Sequence, residues 1–322
     1  MNILVTGAYG NIGTQAVREL LLRGHHVACF DLRTPGNEKK AAQLGSQIQC
    51  FWGDLLDPAT LEPAVAGVDV IIHLAAIIPP LSEKNPDLAK KVNVGGTRAL
   101  VGVMAGMHPA PRLLFTSSIS VFGDTLDLPP PRTVDDPLRP TDTYSHTKVE
   151  CEEIIRDSGL EAIVFRLSAT PPINTSKMDP MMFEIRLDAR MEYLHPADVA
   201  RAIANGIVCD EAWGRTFLIG GGNECQLYYR DFIGGILSAI GIGPLPEAAF
   251  GKAPFYTDWL DTTESQAMLN YQQITYKKWQ QELVKTLGLK VKFAKLFRPL
   301  VRWSILNTSP YWKAAKQAGS QG

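Results

Sequence analysis

The chain has 322 residues, of which 45% are apolar and 20% charged, with a net charge of −1. Composition of this kind excludes a disordered, collagen-like or disulfide-scaffold protein, and the length suits two domains or one domain with a cap. A near-zero net charge makes no case for a nucleic acid partner. The charge is unevenly spread, however. Residues 290–322 hold seven Lys/Arg and no Asp/Glu, which leaves −8 on residues 1–289.

Five widely spaced cysteines without a CxxC pair suggest neither a disulfide frame nor a zinc knuckle and fit a reducing, cytoplasmic setting. Asn2-Ile3-Leu4-Val5 runs straight into structured sequence, so no cleavable leader is expected. The longest apolar stretch, Val68 to Pro80, contains Asp69 and His73 and is too short to span a bilayer.

In chain order, Ile3–Thr6 reads as a strand that ends before a glycine. Asn11–Arg23 reads as a helix, with Ile12, Ala16, Val17, Leu20 and Leu21 on one face. His26–Phe30, Ile48–Trp52 and Val70–Leu74 are the next strands. Asn85-Pro86-Asp87 is a helix-start signal, and a long helix is predicted over Leu88–Met107. Leu113–Thr116, Ala162–Phe165 and Thr216–Ile219 complete the strands, with helices at Tyr144–Asp157 and Pro196–Cys209. Continuous apolar strands imply burial on both faces. The fold class is therefore α/β, a doubly wound parallel sheet of Rossmann type. Asp127–Pro140 is a proline-rich loop, and after Gly222 the alternation fades into a small, mostly helical C-terminal lobe. The expected division is 1–166 plus 196–220 for a dinucleotide-binding domain, 167–195 plus 221–289 for a substrate lobe, and 290–322 for a basic tail.

Gly7, Gly10 and Gly13 lie in Thr6-Gly7-Ala8-Tyr9-Gly10-Asn11-Ile12-Gly13, between the first strand and first helix. Glycines there permit a tight turn and close approach of a pyrophosphate to the helix N-terminus. Asp31 ends the second strand, 18 residues after Gly13, where a carboxylate can accept the ribose hydroxyls and repel a 2′-phosphate. That favours NAD over NADP, although Arg33 close by weakens the inference. Tyr144 and Lys148, at i and i+4, share a helix face. The ammonium is expected to favour the phenolate and lower the tyrosine pKa. Ser118 ends the fifth strand, at the crevice where parallel sheets bind ligands.

These residues, with Gly53-Asp54-Leu55, His73-Leu74-Ala75-Ala76 and Asn93-Val94-Gly95-Gly96-Thr97, follow in a fixed order over residues 1 to about 222. In this the chain resembles the extended short-chain dehydrogenase/reductases, the NAD-dependent epimerase/dehydratase family. The resemblance implies NAD contacts from Gly7, Tyr9, Gly10, Asn11, Ile12, Gly13, Asp31, Arg33, Asp54, Leu55, Ala75, Ala76, Tyr144 and Lys148. It implies Ser118, Tyr144 and Lys148 as catalytic residues, with Asn93 as a fourth member or, equally, a capping Asn. It further implies a homodimer through the helices after the fourth and fifth strands.

Within the family, 4,6-dehydratases carry an Asp-Glu pair after the serine, where this chain has Ile119 and Ser120. Nucleotide-sugar epimerases carry Arg-x-x-Asn after the sixth strand; here Arg166 is followed by Leu167, Ser168 and Ala169. Arg186 and Arg190 could grip a diphosphate or pair with nearby Glu184 or Asp188. Met178, Met181, Met182 and Phe183 could receive an irregular organic substrate or pack the lobe core. The leading expectation is an NAD-dependent oxidoreductase for a secondary alcohol or ketone, similar to the hydroxysteroid and dihydroflavonol branches. The alternatives are a nucleotide-sugar epimerase and a non-catalytic redox sensor, though such sensors tend to lose the tyrosine or lysine kept here. The tail repeats Phe293, Leu296, Phe297, Leu300 and Val301 at helical spacing with cations on other faces. It is read either as packing on the acidic body or a second subunit, or as a peripheral membrane contact through 290–316. The histidines lack metal-ligand spacing.

Overall fold

The computed structural model describes residues 1–172 and 180–319, with side chains to Gln317. Seven parallel strands form one sheet in the order β3-β2-β1-β4-β5-β6-β8. The first half comprises β1 (Asn2–Thr6), α1 (Asn11–Leu22), β2 (His26–Asp31), α2 (Pro35–Leu44), β3 (Ile48–Trp52), α3 (Pro58–Val65) and β4 (Val70–His73). Two short helices, α4 (Leu81–Lys84) and α5 (Pro86–Ala89), precede a π-helical turn at Lys90–Gly95 and then α6 (Gly96–Ala105). The predicted long helix is therefore broken: a π turn stands where one continuous α-helix was expected. The second half comprises β5 (Arg112–Ser118), α7 (Thr143–Asp157), β6 (Ala162–Leu167), β7 (Arg190–Glu192), α8 (Pro196–Gly206) and β8 (Thr216–Ile219).

The order of strands reverses between β1 and β4, whose register pairs Thr6 with His73. This switch point opens a crevice at the carboxyl ends of the strands, the place where such sheets bind ligands. Every residue of β4 is buried, as the continuous apolar run requires. One face of the sheet is covered by α1 and α8, with Ala16, Val17, Leu20, Val199 and Ile203 in the core. The other is covered by α3, α6 and α7, with Leu61, Leu100, Met104, Cys151 and Ile155.

The C-terminal lobe has its own core. It contains β9 (Gln226–Tyr228), α9 (Tyr229–Ala239), α10 (Thr263–Leu269) and α11 (Tyr276–Leu287). Tyr193, Phe232, Tyr276 and Trp279 stack there, Tyr193 and Trp279 with ring centroids 4.7 Å apart. The lobe is mostly helical, but β7 and β9 pair antiparallel, a small sheet not foreseen in the sequence. The tail forms α12 (Leu289–Leu296), α13 (Arg298–Leu306) and α14 (Pro310–Gly319). It packs on this lobe through Val291, Leu306 and Trp312. Among the described residues no helix is long and apolar enough to cross a membrane.

Candidate active site

The turn between β1 and α1 is tight enough to require its glycines. A Cβ on Gly13 would stand 2.2 Å from the Gly7 carbonyl oxygen. On Gly7, at φ +66°, a Cβ would stand 2.8 Å from the Ala75 backbone. Gly10 is the N-cap of α1 and brings no side chain to cap it, and the first helical bond is Thr14 N–H to the Gly10 carbonyl. The preceding first-turn amides, Asn11 to Gly13, are thus left for an anion. Asp31 stands at the rim, its Oδ2 accepting the Tyr9 amide at 3.0 Å and its Oδ1 the Leu32 amide at 2.9 Å. These bonds fix the carboxylate and still leave each oxygen a lone pair for a ribose hydroxyl.

Other dinucleotide-side expectations fall unevenly. The Tyr9 ring is buried between Trp52, at 5.4 Å, and Cys50, whose Sγ is 3.2 Å from its hydroxyl; it supports the loop from behind. Arg33 pairs with Glu38 at 2.7 Å at the exposed surface, while Asp31 is fixed at the rim by the Tyr9 and Leu32 amides. Asp54 is exposed beyond β3, its Oδ1 accepting the Leu56 amide, while Leu55 is buried against Gly96. Asn11 donates through Nδ2 to the Thr170 carbonyl at 3.2 Å, linking the loop to the C-terminal lobe. Ile12 and Ala76 line the central cavity, and Ala75 lies against Gly7.

That cavity holds about 370 Å³ and brings together Ser118, Tyr144 and Lys148. Ser118 is the last residue of β5, and its Oγ accepts from the Ser120 hydroxyl at 2.9 Å. Tyr144 sits in the first turn of α7, whose N-cap Asp142 forms a capping box with Ser145. Lys148, one turn on, is buried and donates to the Thr116 carbonyl at 2.7 Å. Its ammonium lies 5.7 Å from the Tyr144 ring centre and 4.7 Å from that of Phe115. Burial pushes the lysine down to about 8.

The tyrosine corrects the sequence expectation. Crowding by protein, then the Asp142 carboxylate, hold its pKa above the usual value, and only the hydrogen bond from Ser118 opposes them. The ammonium donates to the Thr116 carbonyl and lies over the ring, and burial of the hydroxyl is the larger effect. His73 lies near Lys148, between the hydroxyls of Thr6 at 2.7 Å and Thr97 at 3.1 Å. Burial drives it down to about 3, so it is neutral at pH 7 and adds no second charge.

Asn93 is buried in the π turn outside the cavity. Its amide clamps both backbone groups of Ile77 and donates to Thr147 Oγ1 at 3.0 Å. Its own carbonyl is taken by Thr97 and Cys151. Asn93 therefore ties the loop after β4 to α7. The arginines considered for a diphosphate are committed elsewhere. Arg186 pairs with Asp188 at 2.7 Å, and Arg190 is buried on Asp258 and on the carbonyls of Thr125, Leu126 and Leu128. Arg166 forks onto Glu152. Met181 lines the cavity, Met182 and Phe183 fill the lobe core, and Met178 lies outside the described residues.

The sequence reading missed two features. Met191, Phe255, Tyr256 and Thr257 close the cavity from the lobe, brought there only by tertiary folding. Glu83 of α4 accepts the backbone N–H groups of Thr143 and Tyr144, each at 3.0 Å, and so holds the start of α7.

Residues 3–170, more than half of the chain, match the sequence profile of the NAD dependent epimerase/dehydratase family. The chain belongs to this family. NAD is the family's dinucleotide, and the glycine cradle, open helix terminus and Asp31 described above suit it. D-erythronate dehydrogenase of Cupriavidus necator is 32% identical over 169 residues, covering 49% of this chain and 50% of the relative. The decarboxylating sterol-4-alpha-carboxylate 3-dehydrogenase of Mus musculus is 31% identical over 190 residues, 58% of this chain and 49% of the relative. The chain spans about half the length of these curated relatives. Among solved structures, a short-chain dehydrogenase/reductase superfamily protein from Agrobacterium tumefaciens with bound NAD aligns with TM-score 0.74 at 22% identity, over 92% of this chain and 100% of that one. A UDP-glucuronic acid 4-epimerase from Bacillus cereus aligns with TM-score 0.76 at 21% identity, over 89% and 100%. At these identities the likeness is one of fold.

Proposed function

We propose that this family member is an NAD-dependent oxidoreductase that interconverts a secondary alcohol and a ketone on a largely apolar substrate. The observation that carries this reading is the lining of the cavity. Among the described residues Lys148 is its only charged member, and no Arg, Asp or Glu joins it. A diphosphate-sugar is best held by bidentate cationic partners; Arg166 and Arg190 are buried in internal pairs, and Arg186, in an exposed pair, does not line the cavity. Leu74, Ile78, Leu167, Met181, Met191 and Phe255 offer apolar walls instead. Ser118, Tyr144 and Thr170 add a few neutral polar residues to the lining, which suits a substrate with a few neutral polar groups.

In this reading bound NAD supplies the hydride acceptor or donor. Gly7, Gly10 and Gly13, with the α1 amides, hold its pyrophosphate, and Asp31 its adenosine ribose. Tyr9 supports that side through its backbone; Asp54 and Leu55 serve the adenine end, and Ala75 and Ala76 floor the cleft. Ser118 Oγ donates to the reacting oxygen. Tyr144 Oη takes the alcohol proton during oxidation and returns it during reduction. Lys148, the cation beside the tyrosine ring, would offset part of the burial penalty on the phenolate that forms when Tyr144 gives up its proton, and it would also hold the nicotinamide ribose. Residues 1–166 with 196–220 form the dinucleotide half, and 167–195 with 221–289 the substrate lobe. The test is NADH formation from NAD and a panel of rigid polycyclic secondary alcohols, beside a panel of UDP-sugars. Turnover of an alcohol supports the reading. Epimerisation of a UDP-sugar without net NADH, and no alcohol oxidised, refutes it.

A further inference from the structure

The C-terminal helices α12 and α13 follow one another across Phe297, whose non-helical backbone ends the first and begins the second. Phe297 N–H bonds the Phe293 carbonyl, Val301 N–H bonds the Phe297 carbonyl, and Pro299 takes a first-turn position where its missing N–H costs little. Their two faces differ sharply. One is fastened to the C-terminal lobe: Val291 and Leu306 are buried, and Val301 and Ile305 pack against the lobe core. Arg298 donates to the Ile242 carbonyl at 3.0 Å, and Arg302 reaches the Ile242 and Gly243 carbonyls. Ser309, just beyond, donates to the Ala249 carbonyl.

The other face has no cover. Leu289, Phe293, Leu296, Phe297, Leu300 and Trp303 are all exposed, Leu289 by 78%, Leu296 by 75% and Leu300 by 65%. Leu289, Phe293 and Leu296 fall within an arc of about 60° on α12, Leu300 and Trp303 within about 60° on α13, and the Phe293 and Phe297 rings, with centroids 4.5 Å apart, meet at the junction. A continuous stripe of large apolar side chains on a rigidly mounted helix pair marks an interaction surface. Lys290 and Lys292 stand on either side of it, and Lys313 and Lys316 of α14 are also exposed.

Charge identifies the occupant. No acidic residue occurs from 290 to the end of the chain, whereas the rest carries −8. Pairing of the stripe with the same stripe of a second copy would bring two tails together that carry cations and, from residue 290 on, no carboxylate to relieve them. An anionic lipid surface attracts these lysines, repels the acidic body, and takes Leu, Phe and Trp at the boundary between headgroups and acyl chains. We propose that α12 and α13 form an interfacial anchor that lays this face of the protein on an anionic phospholipid bilayer. Between Ala249, which holds the tail, and Phe255, Tyr256 and Thr257, which line the cavity, the chain is only a short loop, so the anchor brings the cavity's lobe wall near the lipid.

Sedimentation of the full chain with phosphatidylcholine vesicles, with and without phosphatidylserine, tests this without any turnover assay, so it stands apart from the proposed reaction. The full chain is expected to pellet with phosphatidylserine vesicles, to stay in solution with phosphatidylcholine alone, and to be released by high salt. Leu296→Ser/Leu300→Ser should lower the partition coefficient roughly tenfold or more, with NAD binding unchanged because both side chains are exposed. Should that variant fail to fold, Lys290→Glu/Lys292→Glu carries the test by losing the preference for phosphatidylserine. A full chain that stays in solution with both vesicles, or folded variants that bind like the parent, would overturn the proposal. So would a dimer in light scattering that the leucine variant converts to monomer in the absence of any vesicle binding, which would assign the stripe to a second copy.

Discussion

Replacing Lys148 by methionine should make the protein more stable at neutral pH, and less so as the pH rises. Folding takes this ammonium out of water into the wall of the cavity, where its pKa falls from 10.5 to about 8. Between those values the unfolded chain binds more protons than the folded one, so stability rises with pH there. Below the folded value the full penalty applies. A drop of that size corresponds to about 3 kcal/mol at pH 7, shrinking to about 1 kcal/mol at pH 10. Methionine keeps the volume and loses the bond to the Thr116 carbonyl, which costs about 1 kcal/mol. The net expectation is a gain of about 2 kcal/mol at pH 7 and about none at pH 10. For a chain of this size that is a rise in Tm of about 3 °C at pH 7. Parallel thermal melts of the two proteins, without nucleotide, at both pH values measure it. A variant less stable than the parent at pH 7, or a difference in Tm that does not change with pH, would refute the argument that burial of this charge is a cost to the fold.

Tyr144→Phe should lower turnover by about 10²–10⁴-fold while NADH binding, read by fluorescence, stays within a few-fold of the parent. Asp31→Ser removes the carboxylate that faces the ribose; NAD affinity should fall by about tenfold and discrimination against NADP should shrink, as titration with both dinucleotides will show. Glu83→Ala deprives the Thr143 and Tyr144 amides of their acceptor and should cost about 1–2 kcal/mol in denaturant unfolding. It should also lower kcat with NAD affinity intact, and Glu83→Gln, which keeps one carbonyl acceptor, should recover part of the loss. Equal kcat in the alanine variant and the parent would show that Glu83 does not position Tyr144.

What could be read from the chain alone followed physical necessity at short range. The strands announced themselves because a parallel sheet covered on both faces needs unbroken apolar runs, as in Ile71 and Ile72 or Leu113 to Phe115. The glycine turn was legible because side chains are excluded there by backbone contacts below 3 Å. By contrast, α2 buries only Ala41 and Leu44, too little to mark a face. The three-residue strands β7 and β9 exist only because folding brings Arg190 opposite Tyr228. The Phe255–Thr257 wall has neither period nor turn signal and acquires its meaning from where the loop ends up. The direction of the Tyr144 shift was misread for a related reason: i, i+4 spacing fixes a shared helix face, but not which atom the lysine points at. In the folded chain the Thr116 carbonyl claims it.

The same lesson governs the arginines, and it bears on the choice between reactions. Arg186 and Arg190 were open in the sequence to a diphosphate or to internal partners, and no local rule separates the two. Their partners, Asp188 next door and Asp258 far along the chain, settle the matter by opposite means. The first is an exposed local pair that solvent screens, so it is only weakly held and could be displaced. The second is buried, with each guanidinium nitrogen bonded, and it shares Asp258 with the buried Arg132, so freeing it would break a buried charge cluster. A nucleotide-sugar that recruited Arg190 would have to meet the cost of breaking that cluster from its own binding energy. A neutral, mostly apolar substrate meets no such demand, and Lys148, the one cation lining the cavity among the described residues, is already held by Thr116 beside the tyrosine.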